Sequence, residues 1–120
     1  MKKKTLILGA SANPERYSYL ALEKLKAHQH PVLAIGRRKD FVKGTEILTG
    51  MPPINDIDTV TLYLNPKNQE PYYDYILSLK PHRIIFNPGT ENEKLAALAQ
   101  SKGIHTQEAC TLVLLSTGQY

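Results

Sequence analysis

Cysteine is nearly missing from this sequence: Cys110 is the only one in 120 residues. A disulfide framework within the chain is therefore excluded, and so is a thiolate metal cluster. The histidines offer no substitute. His28, His30, His82 and His105 lack carboxylates at metal-ligand spacing, apart from the unremarkable pair His105 and Glu108, and no metal site is expected. Long apolar runs are missing as well. None approaches the ~20 residues that span a bilayer. The apolar stretch at residues 5–8 that follows the N-terminal lysines is too short for a signal sequence. These absences lead to the expectation of a soluble cytoplasmic protein without a membrane partner. No repeat or low-complexity tract appears.

What is present is ordinary globular composition, with 42% hydrophobic and 22% charged residues. One domain over residues 1–120 is expected. The net charge is +4 and the pI about 9.2. The basic residues are spread out except at Lys2 to Lys4 and Arg37 to Lys39, with no recognition helix and no aromatic RNA-binding motif. A nucleic-acid partner is not expected.

Continuous apolar runs alternate with helical patterns. Thr5-Leu6-Ile7-Leu8-Gly9, Val32-Leu33-Ala34-Ile35-Gly36, residues 59–64, Arg83-Ile84-Ile85-Phe86 and residues 104–109 read as strands. Such runs mark strands buried on both faces of a parallel sheet. Helices are expected over residues 17–27, 72–79 and 91–102, with 111–116 either a final helix or a packed tail. The expected fold is α/β, a three-layer Rossmann-like domain on a five-stranded parallel sheet of order 3-2-1-4-5. Residues 37–58 should wander between the second and third strands, with Glu46-Ile47-Leu48 as a short extended piece.

Ligands of such sheets bind outside the carboxyl ends of the strands, where the strand order reverses. That places interest on the loops at residues 9–16, at Asn65-Pro66 and at 87–92. After the first strand, Gly9 permits a tight turn and Ala10 and Ser11 keep it small, so a phosphate can approach the helix N-terminus. Ser11 and Ser18 can donate hydroxyls, and Arg16 offers a forked cation. The same Gly-Ala-Ser could also serve only as a βα turn. The full GxGxxG fingerprint is absent. A carboxylate at the end of the second strand, the usual ribose ligand of NAD-binding domains, is absent too. Gly36-Arg37-Arg38-Lys39 stands there instead. Three cations favour a ribose that carries a phosphate, hence NADP or coenzyme A over NAD, although a solvated basic loop would look the same.

The run Ile7-Leu8-Gly9-Ala10-Ser11-Ala12-Asn13-Pro14-Glu15-Arg16-Tyr17-Ser18-Tyr19 resembles the opening of the CoA-binding domain family. Its small stand-alone bacterial members are similar to the N-terminal domain of the succinyl-CoA synthetase alpha subunit. The likeness continues through Thr45 to Gly50, through Asn87-Pro88-Gly89 and Asn92 to Ala96, and to Cys110. It thus spans essentially the whole chain. The resemblance implies binding of coenzyme A or an acyl-CoA. Gly9, Ser11, Asn13, Arg16 and Ser18 would then contact or shape the phosphate region, together with Ala10 and Pro14 of the same loop. Asn65 and Pro66 would line the adenosine side, and Asn87, Pro88 and Gly89 the pantetheine path. Three departures stand out. Gly36 and Arg37, with Arg38 beside them, replace an Asn-Pro common in the family. Pro88 stands where glutamine is common. The lysine and histidine that often follow the cysteine are missing from residues 111–120.

No residue is assigned a catalytic role. His105 and Cys110 read as structural, the thiol as buried and inert. Two functions are carried forward. One is a non-catalytic coenzyme A-binding or regulatory module, its partner a small-molecule nucleotide cofactor, with a protein partner or a homodimer left open. The other is a small NADP-dependent or CoA-dependent enzyme.

Overall fold

The computed structural model describes residues 2–120. Its sheet begins with β1 (Thr5–Ala10) and β2 (Val32–Gly36), which pair in parallel. The helix α1 (Tyr17–Ala27) connects them with the bounds that its pattern and the following His30-Pro31 suggest. Residues 37–58 hold more structure than expected. β3 (Asp40–Val42) and β4 (Thr45–Leu48) form an antiparallel hairpin with Val42 opposite Thr45. Lys43 and Gly44 turn it, at φ of 47° and 84°. Two consecutive positive φ values give the backbone twist that suits a two-residue hairpin. Contacts to α1 hold the turn: Lys26 Nζ donates to Lys43 O at 2.7 Å, and Lys43 Nζ lies 3.2 Å from Glu23 Oε2.

The hairpin changes the sheet. β4 pairs in parallel with β2, through Ala34 opposite Ile47 and Ile35 opposite Leu48. It takes the place outside β2 that residues 59–64 were expected to fill. β5 (Thr59–Leu62) lies instead on the far side of β1, followed by β6 (Arg83–Phe86) and β7 (His105–Glu108). The sheet therefore has seven strands in the order β3-β4-β2-β1-β5-β6-β7, rather than five in the order 3-2-1-4-5. It is parallel except at β3. The physical reason is that the short extended piece at Ile47 has an apolar side chain to bury and a free β2 edge to pair with. The chain then returns across the sheet without a helix, since Gly50 and Pro52-Pro53 break any helical run.

Alternation along β1 builds both halves of the core. Leu6 and Leu8 face Ile35, Val60, Leu62 and Phe86, under Ile57 of the returning segment and under Ile76, Leu95 and Ala99. Ile7 faces the other way, against Leu22, Leu25, Ala34, Ile47 and Leu115. The first face is covered by α3 (Tyr73–Ser78) and α4 (Glu93–Ser101), the second by α1 and α5 (Thr111–Ser116). The tail at 111–116 is thus a helix. α3 is shorter than its pattern suggested, because α2 (Pro66–Gln69) and a 3₁₀ turn at Glu70–Tyr72 precede it. Asn65 caps α2 through its Oδ1, which accepts from Asn68 N at 2.9 Å, and Pro66 fits the first turn. α4 starts two residues later than expected because Asn92 is its cap, with Oδ1 accepting from Leu95 N at 3.1 Å. Among the described residues no helix is long and apolar enough to cross a membrane.

Candidate functional site

Strand order reverses about β1, with β2 on one side and β5 on the other. The loops leaving the carboxyl ends of β1, β2, β5 and β6 enclose a cleft of about 1360 Å³. This is where open α/β sheets bind ligands.

The cleft floor depends on two glycines. The β1–β2 register shifts between Leu8 and Ala10, so that Ala10 faces Gly36. A Cβ on Gly36 would lie 2.3 Å from Ala10 O, far inside contact distance. Gly9 adopts φ of 99°, and a Cβ there would meet the Tyr63 carbonyl carbon at 3.0 Å. Both residues let neighbouring strand ends converge beneath the cleft.

The β1–α1 loop holds itself in shape. Asn13 N donates to Ser11 Oγ, and Glu15 N to Asn13 Oδ1, each at 3.0 Å. Arg16 occupies the cap position without a side-chain bond, and the first turn of α1 has no acidic residue. Among the described residues, the first amides of this 11-residue helix thus lack a side-chain acceptor. Ser11, Asn13, Arg16 and the buried Ser18 line the cleft around them. Pro14 does not.

The β2 exit supplies Arg37 and Arg38, both exposed on the wall. Asp40 is there too, with its Oδ1 accepting from Phe41 N at 2.8 Å. From β5 come Asn65 and three residues that the sequence did not single out: Tyr63, Leu64 and Asn68. Residues 63 and 64 read as the end of a strand, but β5 stops at Leu62 and the chain turns there into the site. Pro66 is outside the lining, engaged in α2. Tyr72 reaches the cleft, and Tyr17 stands on the rim, 71% exposed. The Tyr63 hydroxyl is buried near the Thr61 and Thr111 hydroxyls, without a well-formed hydrogen bond among the described residues, and burial pushes its ionisation far above the usual tyrosine range. It stays protonated at neutral pH.

From β6 come Pro88, Gly89 and Thr90. Asn87 lies beneath them, 2% exposed and turned into the core. Its Nδ2 donates to Thr61 Oγ1 at 2.7 Å and to Leu62 O at 2.8 Å, and its Oδ1 accepts from Thr111 N at 2.9 Å. Cys110, half-buried, sits just before α5.

The cleft therefore gathers three arginines, Arg16, Arg37 and Arg38, with Glu15 and Asp40 among them, hydroxyls and an open helix N-terminus on its β1–β2 side, and a neutral wall of Leu64, Tyr72, Pro88 and Thr90 on the other. Such a division suits a ligand with an anionic end and a less polar arm.

A model of the CoA binding domain matches residues 3–116. A crystal structure of an uncharacterized protein is 53% identical and superposes with a TM-score of 0.97, over 100% of this chain and 99% of that one. A hypothetical protein from Pyrococcus horikoshii OT3 shares the fold at 21% identity and a TM-score of 0.87, over 97% of this chain and 83% of its own. The structure of cell-free ID.343 from Thermus thermophilus does so at 17% identity and a TM-score of 0.84, over 99% and 91%. No curated protein matches. With a family model that covers nearly its whole length, the chain belongs to the CoA binding domain family.

Proposed function

We propose that the cleft binds coenzyme A or an acyl-CoA, and that the chain acts as a non-catalytic binding or regulatory module. The observation that carries this is the uncapped N-terminus of α1, opening into the cleft beside Ser11 and Arg16. A helix start without a side-chain acceptor favours an anion, and a diphosphate supplies one. Arg37 and Arg38 at the β2 exit suit the ribose phosphate, and the neutral wall after β5 and β6 suits the pantetheine arm, in place of the adenosine side that the resemblance implied for Asn65 and Pro66. The residues at the cleft thus fit coenzyme A.

Arg16→Ala tests the anion cradle. Loss of one charge-assisted contact should weaken coenzyme A about tenfold in a calorimetric titration. Unchanged affinity would remove Arg16 from the site. One observation keeps a second function, a small NADP-dependent enzyme, in view: Arg37 and Arg38 on the cleft wall would serve the 2′-phosphate of NADP as well as the 3′-phosphate of coenzyme A. Tight NADPH binding with oxidation of the nicotinamide in the presence of an acceptor would favour that function over a binding module.

A further inference from the structure

Gln69 is fully buried. A buried amide is costly unless its donors and its acceptor are all met. Here they are met by two different loops. Nε2 donates to Leu64 O and to Thr90 O, each at 2.8 Å. Oε1 accepts from Asn92 Nδ2 at 2.9 Å. Asn92 is itself buried, and its Nδ2 also donates to the Tyr73 hydroxyl at 2.8 Å. Its Oδ1 meanwhile caps α4. Thr90 Oγ1 donates to Asn87 O at 2.8 Å, which ties its own loop down.

One nitrogen atom thus holds a carbonyl oxygen from the loop after β5 and another from the loop after β6. Neither loop can move away from the other without breaking a bond at Gln69. Leu64 and Thr90, which carry those carbonyls, both line the cleft. Leucine or methionine would fill this space but would leave the Leu64 and Thr90 carbonyls and an Asn92 N–H without the partner that Gln69 gives them. The polar solution adds a fixed spacing, because hydrogen bonds constrain distance and direction where apolar contacts do not.

We propose that Gln69 is a positioning residue. Through a single side-chain amide it sets the separation of the two walls between which the arm of the ligand runs. This rests on the assignment of the cleft to coenzyme A. The nucleotide end, held by the β1 and β2 exits, should be insensitive to it.

Gln69→Met keeps the length and removes all three bonds, and Tyr73→Phe removes only the hydroxyl at the far end of the network. Each variant is titrated with coenzyme A and with adenosine 3′,5′-bisphosphate, which lacks the arm, at a temperature where circular dichroism shows it folded. Gln69→Met should weaken coenzyme A about tenfold and leave the bisphosphate within about twofold. Tyr73→Phe should give a smaller loss of the same selectivity, about threefold. A merely structural role would lower the melting temperature and leave the ratio of the two affinities where it was. An unchanged ratio in Gln69→Met overturns the proposal. If that variant does not fold, an unchanged ratio in Tyr73→Phe does so. Wild-type chain that binds neither ligand overturns the coenzyme A assignment itself, and this inference with it.

Discussion

Asn87→Leu should unfold the chain about 10 °C below the wild type, a loss of about 3 kcal/mol. The substitution is close to isosteric, so little of this comes from a cavity. It comes from what is left behind. The Asn87 amide joins three elements: Thr61 and Leu62 of β5 through Nδ2, and the first amide of α5 through Oδ1. Thr61 and Thr111 also share a hydroxyl–hydroxyl bond at 2.8 Å. Leucine would strand the Thr111 N–H and the Leu62 carbonyl in a water-free core. Each such buried group costs about 1–3 kcal/mol. α5 has only six residues and no side-chain cap of its own, so it is the element most exposed to the loss. Thermal melts followed by circular dichroism check this. A shift of under about 2 °C would mean that the network adds nothing beyond packing.

The double variant Arg37→Ala, Arg38→Ala should weaken coenzyme A by about a hundredfold at low salt. Dephospho-coenzyme A should weaken only about tenfold, so the preference between the two should vanish. Both guanidinium groups are exposed on the cleft wall and, among the described residues, have no carboxylate within ion-pair distance, so no ion pair must be broken before they meet a phosphate. Guanidinium suits that role through its fork of donors. Because the groups are solvated, the wild-type advantage for coenzyme A should shrink as salt rises. Calorimetric titration of both ligands at two ionic strengths measures this. A double variant that keeps the wild-type preference would place the ribose phosphate elsewhere.

Local structure was the part most open to reading from the sequence. The apolar runs of β1, β2 and β6, and the helix between Tyr17 and Ala27, carry patterns set by their own neighbours. Sheet order was not of that kind. Nothing within Thr59-Val60-Thr61-Leu62 says which edge of β1 or β2 it will take. The deciding element was the β3–β4 hairpin, whose signal is one Lys-Gly pair at residues 43 and 44. The site divides the same way. The Gly9–Arg16 loop and Arg37-Arg38 announce themselves by residue type. Asn87 looked like a ligand contact, but its partners Thr61 and Thr111 lie 26 and 24 positions away, and only the fold brings them together. Gln69 gave no signal at all, since a glutamine in a polar stretch suggests solvent. Its burial follows from the meeting of two loops.

The most direct measurement is a calorimetric titration of the wild-type chain with coenzyme A and, separately, with dephospho-coenzyme A. Coenzyme A should bind with a Kd of about 1 µM or tighter, and dephospho-coenzyme A about tenfold more weakly. No binding of coenzyme A, or equal affinity for the two, would contradict the assignment of the cleft.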